Sequence, residues 1–438
     1  MQVDKTTLQD LSIFHSEEEQ SVFHLLNFTQ TNGGREYLRY LLATPLQSID
    51  AIQDTQKTIQ HLKYLAHQLP QTITNGTIMV IDKFYETAVD SYPTNPNIIN
   101  SFFYRIFSAP DYSITKYSVE HFISFIKDMD VLAKVLQQAN DSKLLQTWAE
   151  KIDYLLRKNA IQRFIDFEKN KKLSQQEALA IGSFLRTDFK RETFELLDIY
   201  CKLDAYLSLA TACGKYQFTF PTIELSSQPY IVAEGVYHLL LTTPVSYDVT
   251  LNEHTNFLFL TGANMAGKST FIKSIGIALY LAHLGMGVPA TKMQISLFDG
   301  LLSNIQVADN IVKGESYFFN EVQRIKGTIE KISDGKNWLI LIDELFKGTN
   351  VQDAMKCSIT VIEGLRKLNN ALFVLSTHLY EIGEGLSKHS NIDFRYFETQ
   401  VANDQLLFSY QLKKGISNDR LGYLILKREG VVQMLEKL

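Results

Sequence analysis

The chain is poor in cysteine, and its proline is unevenly spread. The three cysteines, Cys201, Cys213 and Cys357, form no C-x-x-C pair. That excludes a disulfide framework and a zinc knuckle and points to a reducing cytoplasm. No proline occurs between Pro110 and Pro221 or after Pro289. A basic excess is missing too: 43 Lys and Arg stand against 48 Asp and Glu, a net charge of −5. A broadly basic nucleic-acid-binding surface is therefore not expected, although a local basic stripe is compatible with that balance. The acidic N-terminus, "MQVDKTTLQDLSIFHSEEEQ", lacks a charged region followed by an apolar one, so no secretory signal is expected. The most apolar helical run, Ile275 to Leu284, is too short to span a bilayer.

What is present is apolar periodicity, in 438 residues that suffice for two or three domains. In "YSVEHFISFIKDMDVLAKVL" the residues Val119, Phe122, Ile123, Ile126, Met129, Leu132, Val135 and Leu136 fall at helical spacing. In "LLQTWAEKIDYLLRKNAIQRFIDF", Leu145, Trp148, Ile152, Leu155 and Leu156 do the same. Further helices are expected over 174–189 and 192–212. These stripes read as helix–helix core. Pro, Ser and Gly cluster over 218–235, which places a domain boundary there: an all-α domain over 1–220 and an α/β domain over 221–438. Beyond it, "NFLFL", "NWLILI" and "NALFVLS" are almost continuously apolar, as in a parallel sheet covered on both faces. "FRYFETQ" and "QLLFSYQL" alternate and predict an antiparallel pair.

The chemistry gathers in the second half. "LFLTGANMAGKSTFIKSIG" runs from a strand through a Gly-bounded loop into a helix and fits G-x-x-x-x-G-K-S/T. Gly262 and Gly267 allow the backbone N–H groups to face phosphates, and the helix starting near Lys268 adds the positive end of its dipole. Lys268 is expected on the β- and γ-phosphates, and Ser269 on Mg²⁺. The candidate ATP-binding set is Gly262, Asn264, Met265, Gly267, Lys268, Ser269 and Thr270. "WLILIDEL" delivers Asp343 and Glu344 at a strand end, Asp343 for Mg²⁺ and Glu344 to polarise the attacking water. His378, at the end of "FVLSTHL", is suited to sense the γ-phosphate. In "DNIVKGESYFFNEVQRIKGTIE", Gly314 and Ser316 form a second phosphate-contacting turn or a helix N-cap, and the two readings are compatible.

"TGANMAGKST", "LIDELFKGTN", "LSTH" and "GESYFFNEV" resemble the ATPase domain of the MutS family of DNA mismatch-binding proteins. Residues 25–56 are similar to the start of that family's lever domain, "ELLDIYCKLDAYLSLATA" to its returning helix, and "LKKGISNDRLGYLILKREGV" to its closing segment. The resemblance implies a helical lever domain on an ABC-type P-loop ATPase domain, with ATP and Mg²⁺ as cofactors. It also implies a homodimer in which Ser316 reaches the ATP of the second subunit, and a DNA partner. This chain has Ala263 and Ala266 where the family usually has Pro and Gly, and Phe346-Lys347 where it has Gly-Arg. It has Asn350 for a common Ser and Tyr247 for an Asn near the base. The family's mismatch-reading and connector domains are expected before residue 10 and have no room there. Phe84-Tyr85-Glu86 reads as a coincidental likeness to the mismatch-reading Phe-x-Glu. Mismatched, branched or otherwise non-standard DNA is then the expected ligand.

Two other nucleotide machines fit poorly. The spacing from Lys268 to Asp343 is short for the helical insert of a transporter ATPase, and no long coiled coil separates the motifs as in chromosome-maintenance ATPases. An ATP-binding interaction scaffold without DNA contact remains the alternative. From Arg157 to Glu192 nine basic residues face five acidic ones, a mild excess that suits a solvated helix face.

Overall fold

The computed structural model describes residues 1–87, 93, 96–157, 159–165, 172–305, 317–402, 405–417 and 430–435. Packing divides the chain into two compact units. One comprises Met1–Leu25, Thr44–Gln53 and Lys215–Leu438; the other comprises Leu26–Ala43 and Asp54–Gly214. The division is discontinuous and differs from the single cut expected at residue 220. Polar contacts of long sequence separation account for the difference. The Met1 amino group donates to Leu46 O at 2.8 Å, and Leu46 N donates to His283 O at 2.7 Å. β1 (Gln2–Val3) pairs in parallel with residues 300–301. At the end of α1 (Lys5–Asp10) the Asp10 carboxylate is 1% exposed and accepts from Ser303 Oγ at 2.5 Å and Ile305 N at 3.1 Å. A short α2 (Val22–Leu26) follows.

The helical unit contains α3 (Asn32–Ala43), most of α4 (Ile49–Leu65), α5 (Asn75–Glu86), α6 (Ile98–Phe107) and α7 (Ala109–Leu136), followed by α8 (Lys143–Leu156), α9 (Asn159–Ile165), α10 (Gln175–Thr187) and all but the last residue of α11 (Lys190–Lys215). Pro110 stands in the first turn of α7, where its missing N–H costs nothing. Val119, Phe122, Ile126, Met129 and Leu132 are buried along one stripe of that helix, as their spacing predicts. The second stripe, expected to run on to Phe167, stops at Leu156 and resumes as the separate α9. Ser174 and Glu177 start α10 with a reciprocal capping box. Phe84 is buried edge-on against Phe122 at 5.3 Å, and the Tyr85 hydroxyl donates to Leu185 O at 3.1 Å. That pair serves the core of the helical unit.

The α/β unit carries two sheets. Its strands are β2 (Thr222–Glu224), β3 (Ile231–Val236), β4 (Tyr247–Leu251), β5 (Phe257–Thr261), β6 (Lys292–Ser296), β7 (Gly300–Asn304), β8 (Trp338–Asp343), β9 (Ala371–Ser376), β10 (Ile392–Ala402) and β11 (Gln405–Lys414). The larger sheet has the order β1-β7-β8-β9-β5-β10-β11, parallel throughout except for the β10–β11 pair. β5, β8 and β9 are buried at every position, which matches their continuous apolar runs. α12 (Lys268–His283), α13 (Tyr317–Ile332), α14 (Val351–Leu365), α15 (Glu381–Leu386) and α16 (Val431–Leu435) complete the unit. Ile325 and Ile332 of α13 and Ile362 and Leu365 of α14 share one core with Phe257, Ile340 and Phe373 of the strands. Two strands of the smaller sheet, β2-β6-β3-β4, lie in the region expected to be a boundary. Pro221 and Pro229 flank β2 and β3 instead of interrupting them, a position proline tolerates. Among the described residues no helix is long and apolar enough to cross a membrane.

Candidate functional site

Three neighbouring parallel strands, β8, β9 and β5, end at the same edge of the sheet. Their ends align, Asp343 with Ser376, and Leu260, the last residue but one of β5, with Ser376. Loops leaving such an edge converge, and ligands of open α/β sheets bind outside it. The loop after β5 curls through three left-handed residues: Gly262 (φ 138°), Met265 (φ 67°) and Gly267 (φ 106°). At Gly267 the conformation favours glycine, and a Cβ there would touch Tyr410 at ordinary contact distance. Gly267 is the N-cap of α12, so Lys268, Ser269 and Thr270 form the first turn of that helix, with its N–H groups directed back at the loop.

Lys268 is 5% exposed, and its ammonium donates to Gly262 O at 2.8 Å and Ala263 O at 2.9 Å. Burial pulls its pKa down to about 8, against the opposing pull of Glu344 and Asp343. Ser269 Oγ donates to Asp343 Oδ2 at 2.5 Å, while the other Asp343 oxygen accepts from Ser376 Oγ. Glu344 sits in the left-handed region (φ 64°) and its N–H donates to Ser376 O at 3.0 Å. Its carboxylate lies 2.5 Å from His378 Nε2 and 2.9 Å from Lys347 Nζ. Burial pushes the Glu344 pKa up, but the bonds from His378 and Lys347 outweigh it and bring the pKa down to about 2.

A pocket of about 450 Å³ opens beside this cluster. It is lined by Asn264, Met265, Gly267, Lys268, Ser269, Thr270 and Glu344, together with Leu241, Thr242, Thr243, Val245, Tyr247 and Tyr410. Tyr247 is fixed edge-on between Phe271 at 5.1 Å and Phe397 at 5.7 Å. The lining thus combines a cation and hydroxyls with aromatic and aliphatic surface. That combination suits a ligand with an anionic tail and a flat apolar head.

The Ser269–Asp343 pair is an oxygen-only donor set, which fits a hard cation such as Mg²⁺. Among the described residues no group of three His, Cys, Asp or Glu side chains could hold a metal by itself. Mg²⁺ needs no such cage, since it takes one or two protein oxygens and completes its shell with phosphate and water.

Of the residues singled out from the sequence, Gly262, Asn264, Met265, Gly267, Lys268, Ser269, Thr270, Asp343, Glu344 and His378 come together here. Gly314 and Ser316 lie outside the described residues, as does most of the closing segment similar to the MutS family's. Sequence reasoning gave no role to Ser376, Lys347, Tyr410 or Glu321. Ser376 stood inside the quoted "LSTH", one strand over from Asp343, and was the most accessible of these signals.

A family model described as MutS domain III matches residues 6–313, and one described as MutS domain V matches residues 258–435. The DNA mismatch repair protein MutS of Petrotoga mobilis is 27% identical over 240 residues, 54% of this chain and 29% of that protein. DNA mismatch repair protein spellchecker 1 of Drosophila melanogaster is 30% identical over 209 residues, 44% of this chain and 23% of that protein. MutS protein homolog 4 of Homo sapiens is 29% identical over 237 residues, 52% of this chain and 25% of that protein. The matched region spans less than a third of the length of each of these relatives. With the domain III model covering well over half of the sequence and the domain V model adding the remainder of the α/β unit from β5 onward, the chain belongs to the MutS family.

Proposed function

We propose that this chain binds ATP with Mg²⁺ in the 450 Å³ pocket and hydrolyses it, the α/β unit being an ABC-type P-loop ATPase domain and the helical unit its lever. The observation that carries the reading is the meeting of Ser269 Oγ and Asp343 Oδ2 at 2.5 Å beside Lys268 and Glu344. Lys268 leaves the loop carbonyls to hold the β- and γ-phosphates. Ser269 and Asp343 hold Mg²⁺, which neutralises charge on the phosphates when bound. Glu344 accepts a hydrogen bond from the attacking water and orients it; with a pKa near 2 it polarises the water and is a poor final proton acceptor. His378 restrains Glu344 and senses the γ-phosphate. The base rests by Tyr247 and Tyr410.

The wider role follows the family. The working unit is a homodimer, with Ser316 reaching the ATP of a second copy, and it acts in the cytoplasm. Nucleotide binding and hydrolysis drive DNA binding in mismatch repair or a related repair or recombination process. The relatives' names support DNA as the partner; the net charge of −5 argues for modest affinity. Internal use of a cation argues the same way: Arg186 stacks 4.3 Å over Phe84 and donates to Thr87 O. That last observation also keeps an ATP-binding scaffold without DNA contact as the second reading. ATP turnover by the wild type and by Lys268→Ala, with binding to duplex, mismatched, branched and single-stranded DNA, tests both. No turnover would remove the ATPase reading, and no DNA binding in any nucleotide state would favour the scaffold.

A further inference from the structure

The turn from β8 to α14 is gripped by a carboxylate that has no part in the chemistry proposed above. Glu321, on α13, is 5% exposed. Its two oxygens take separate partners: Oε1 accepts from Lys347 N at 3.2 Å and Oε2 from Gly348 N at 3.3 Å. One turn earlier on the same helix, Phe318 packs against Phe346 with ring centroids 5.7 Å apart. The turn so held is strained. Glu344 and Phe346 both lie in the left-handed region, with φ of 64° and 59°, and neither is glycine. Strained residues persist only where their surroundings over-determine them. Here the surroundings are Ser376 O on the strand side and Glu321 with Phe318 on the helix side.

A buried carboxylate is costly to place, and accepting N–H bonds from a loop is one way to make that placement tolerable. Such a grip fixes backbone, and the backbone it fixes lies three and four residues after Glu344. It also sets the origin of the Lys347 side chain, whose ammonium reaches Glu344 Oε2. We propose that Glu321 is a positioning residue for Glu344: its two-oxygen grip on Lys347 N and Gly348 N holds the left-handed turn that aims the Glu344 carboxylate into the pocket. A shift of α13 then moves Glu344 with no contact between α13 and the nucleotide. The inference rests on the reading of Glu344 as the water-orienting carboxylate.

The test uses the full chain and the variants Glu321→Ala, Glu321→Gln and Glu344→Gln, with Glu321→Ala/Glu344→Gln as the double variant. Measurements are MgATP turnover, affinity for a fluorescent ATP analogue, and far-UV circular dichroism for folding. Misaiming a catalytic group costs rate more than binding, so Glu321→Ala should lose at least about tenfold in kcat. Its analogue affinity should stay within about threefold of wild type, because the glycine loop is untouched. Glu321→Gln should fall between the two, since its amide oxygen can accept only one of the N–H groups and its NH₂ confronts the other. In the Glu344→Gln background Glu321→Ala should change residual turnover no further. A folded Glu321→Ala with wild-type kcat overturns the proposal. So does a loss of the same factor with and without Glu344. If Glu321→Ala does not fold, wild-type kcat in Glu321→Gln overturns it. A wild-type chain that turns over no ATP would instead sink the ATPase reading and this inference with it, an outcome distinct from normal turnover that ignores Glu321.

Discussion

His378 Nε2 lies 2.5 Å from Glu344 Oε1, joining the ends of two neighbouring strands beside the pocket. Lys347 holds the other oxygen, so the Glu344 carboxylate is ionised and restrained on both sides. Its role in hydrolysis is then to be aimed, and a change at either neighbour should act on kcat before it acts on ATP affinity.

Glu344→Gln keeps the shape of the side chain and removes the charge. ATP should bind and persist, while turnover falls by about 10²-fold or more. Gel filtration of this variant with MgATP should show a larger share of dimer than without nucleotide. Wild-type hydrolysis in Glu344→Gln would take the catalytic role from this residue.

His378→Ala removes one of the two restraints. The Glu344 pKa should rise from its depressed value, and kcat should drop by roughly 10- to 100-fold with nucleotide affinity nearly unchanged. Equal losses in kcat and in affinity would mean that His378 acts on binding, not on the carboxylate.

Lys268 predicts a pH dependence. Its pKa in the protein, about 8, is below the ordinary 10.5 because the ammonium is buried. The free protein therefore loses this cation as pH rises through 8, and kcat/KM for MgATP should fall above that pH. A bound triphosphate stabilises the ammonium, so kcat should hold to higher pH. Between pH 8 and 10.5 the unfolded chain binds more protons here than the folded one, so this group makes stability rise with pH in that window. Lys268→Met, which removes the buried cation, should abolish turnover yet raise stability at pH 7 by on the order of 2 kcal/mol. A flat kcat/KM up to pH 10 would contradict the assignment.

The parts of this site that could be read from the sequence are the local ones. β5, β8 and β9 are continuous apolar runs, and each carries its chemistry within a few residues of its end, so Lys268, Ser269, Asp343, Glu344 and His378 could all be placed. Polar contacts between distant segments leave no periodic trace. Nothing in the pattern around Asp10 tells of Ser303 and Ile305, and nothing around Leu46 tells of His283. Those contacts group residues 1–25 and 44–53 with the α/β unit, while the cut at Lys215 lies close to the composition change over 218–235. Tyr410 belongs to an alternating strand whose pairing with β10 shifts register between Phe397 and Thr399, so which side chains reach the pocket depended on an irregularity that alternation cannot reveal. Nothing in the pattern around Glu321 tells of its partners, the N–H groups of Lys347 and Gly348 in the turn after β8.

In the helical unit Asp204 should be the most sensitive polar residue. It is 3% exposed and accepts from Gln30 N at 3.0 Å, Thr31 N at 2.8 Å and Thr31 Oγ1 at 2.7 Å. It lies so close to Gly34 that a side chain there would overlap it. Asp204→Ala would leave the two Thr31 donors buried without this partner and should cost about 2–4 kcal/mol. Asp198→Ala, which breaks an exposed pair with Lys202, should stay within about 0.5 kcal/mol of wild type. Urea unfolding of both variants gives the comparison, and similar losses would show that Asp204 does not organise the segment around residues 30–34.

DNA binding should be weak and electrostatic. Non-specific affinity comes from lysine and arginine groups that replace counterions on the phosphates, so only cations free to reach the surface count. In the stretch from Arg157 to Glu192, Arg186 is engaged with Phe84 and Thr87 O, Arg157 and Arg191 sit in exposed i,i+4 pairs that compete only weakly with phosphate, and Lys158, Lys169 and Lys171 lie outside the described residues. Among the described residues of this stretch, Arg163 and Lys172 are exposed cations suited to touch phosphate. Affinity for duplex DNA should then lie near 10⁻⁵ M, roughly the range of non-specific binding, and fall steeply with salt. Each phosphate contact adds about 0.9 to the magnitude of the log–log salt slope, so Arg163→Glu and Lys172→Glu together should flatten it by about 2 and weaken binding at low salt. The loss should be similar on mismatched and perfect duplexes, because these residues would contact backbone and not bases. Tight, salt-independent binding that prefers a single mismatch would refute this account of the helical unit, and an unchanged slope in the double variant would move the DNA contact elsewhere on the chain.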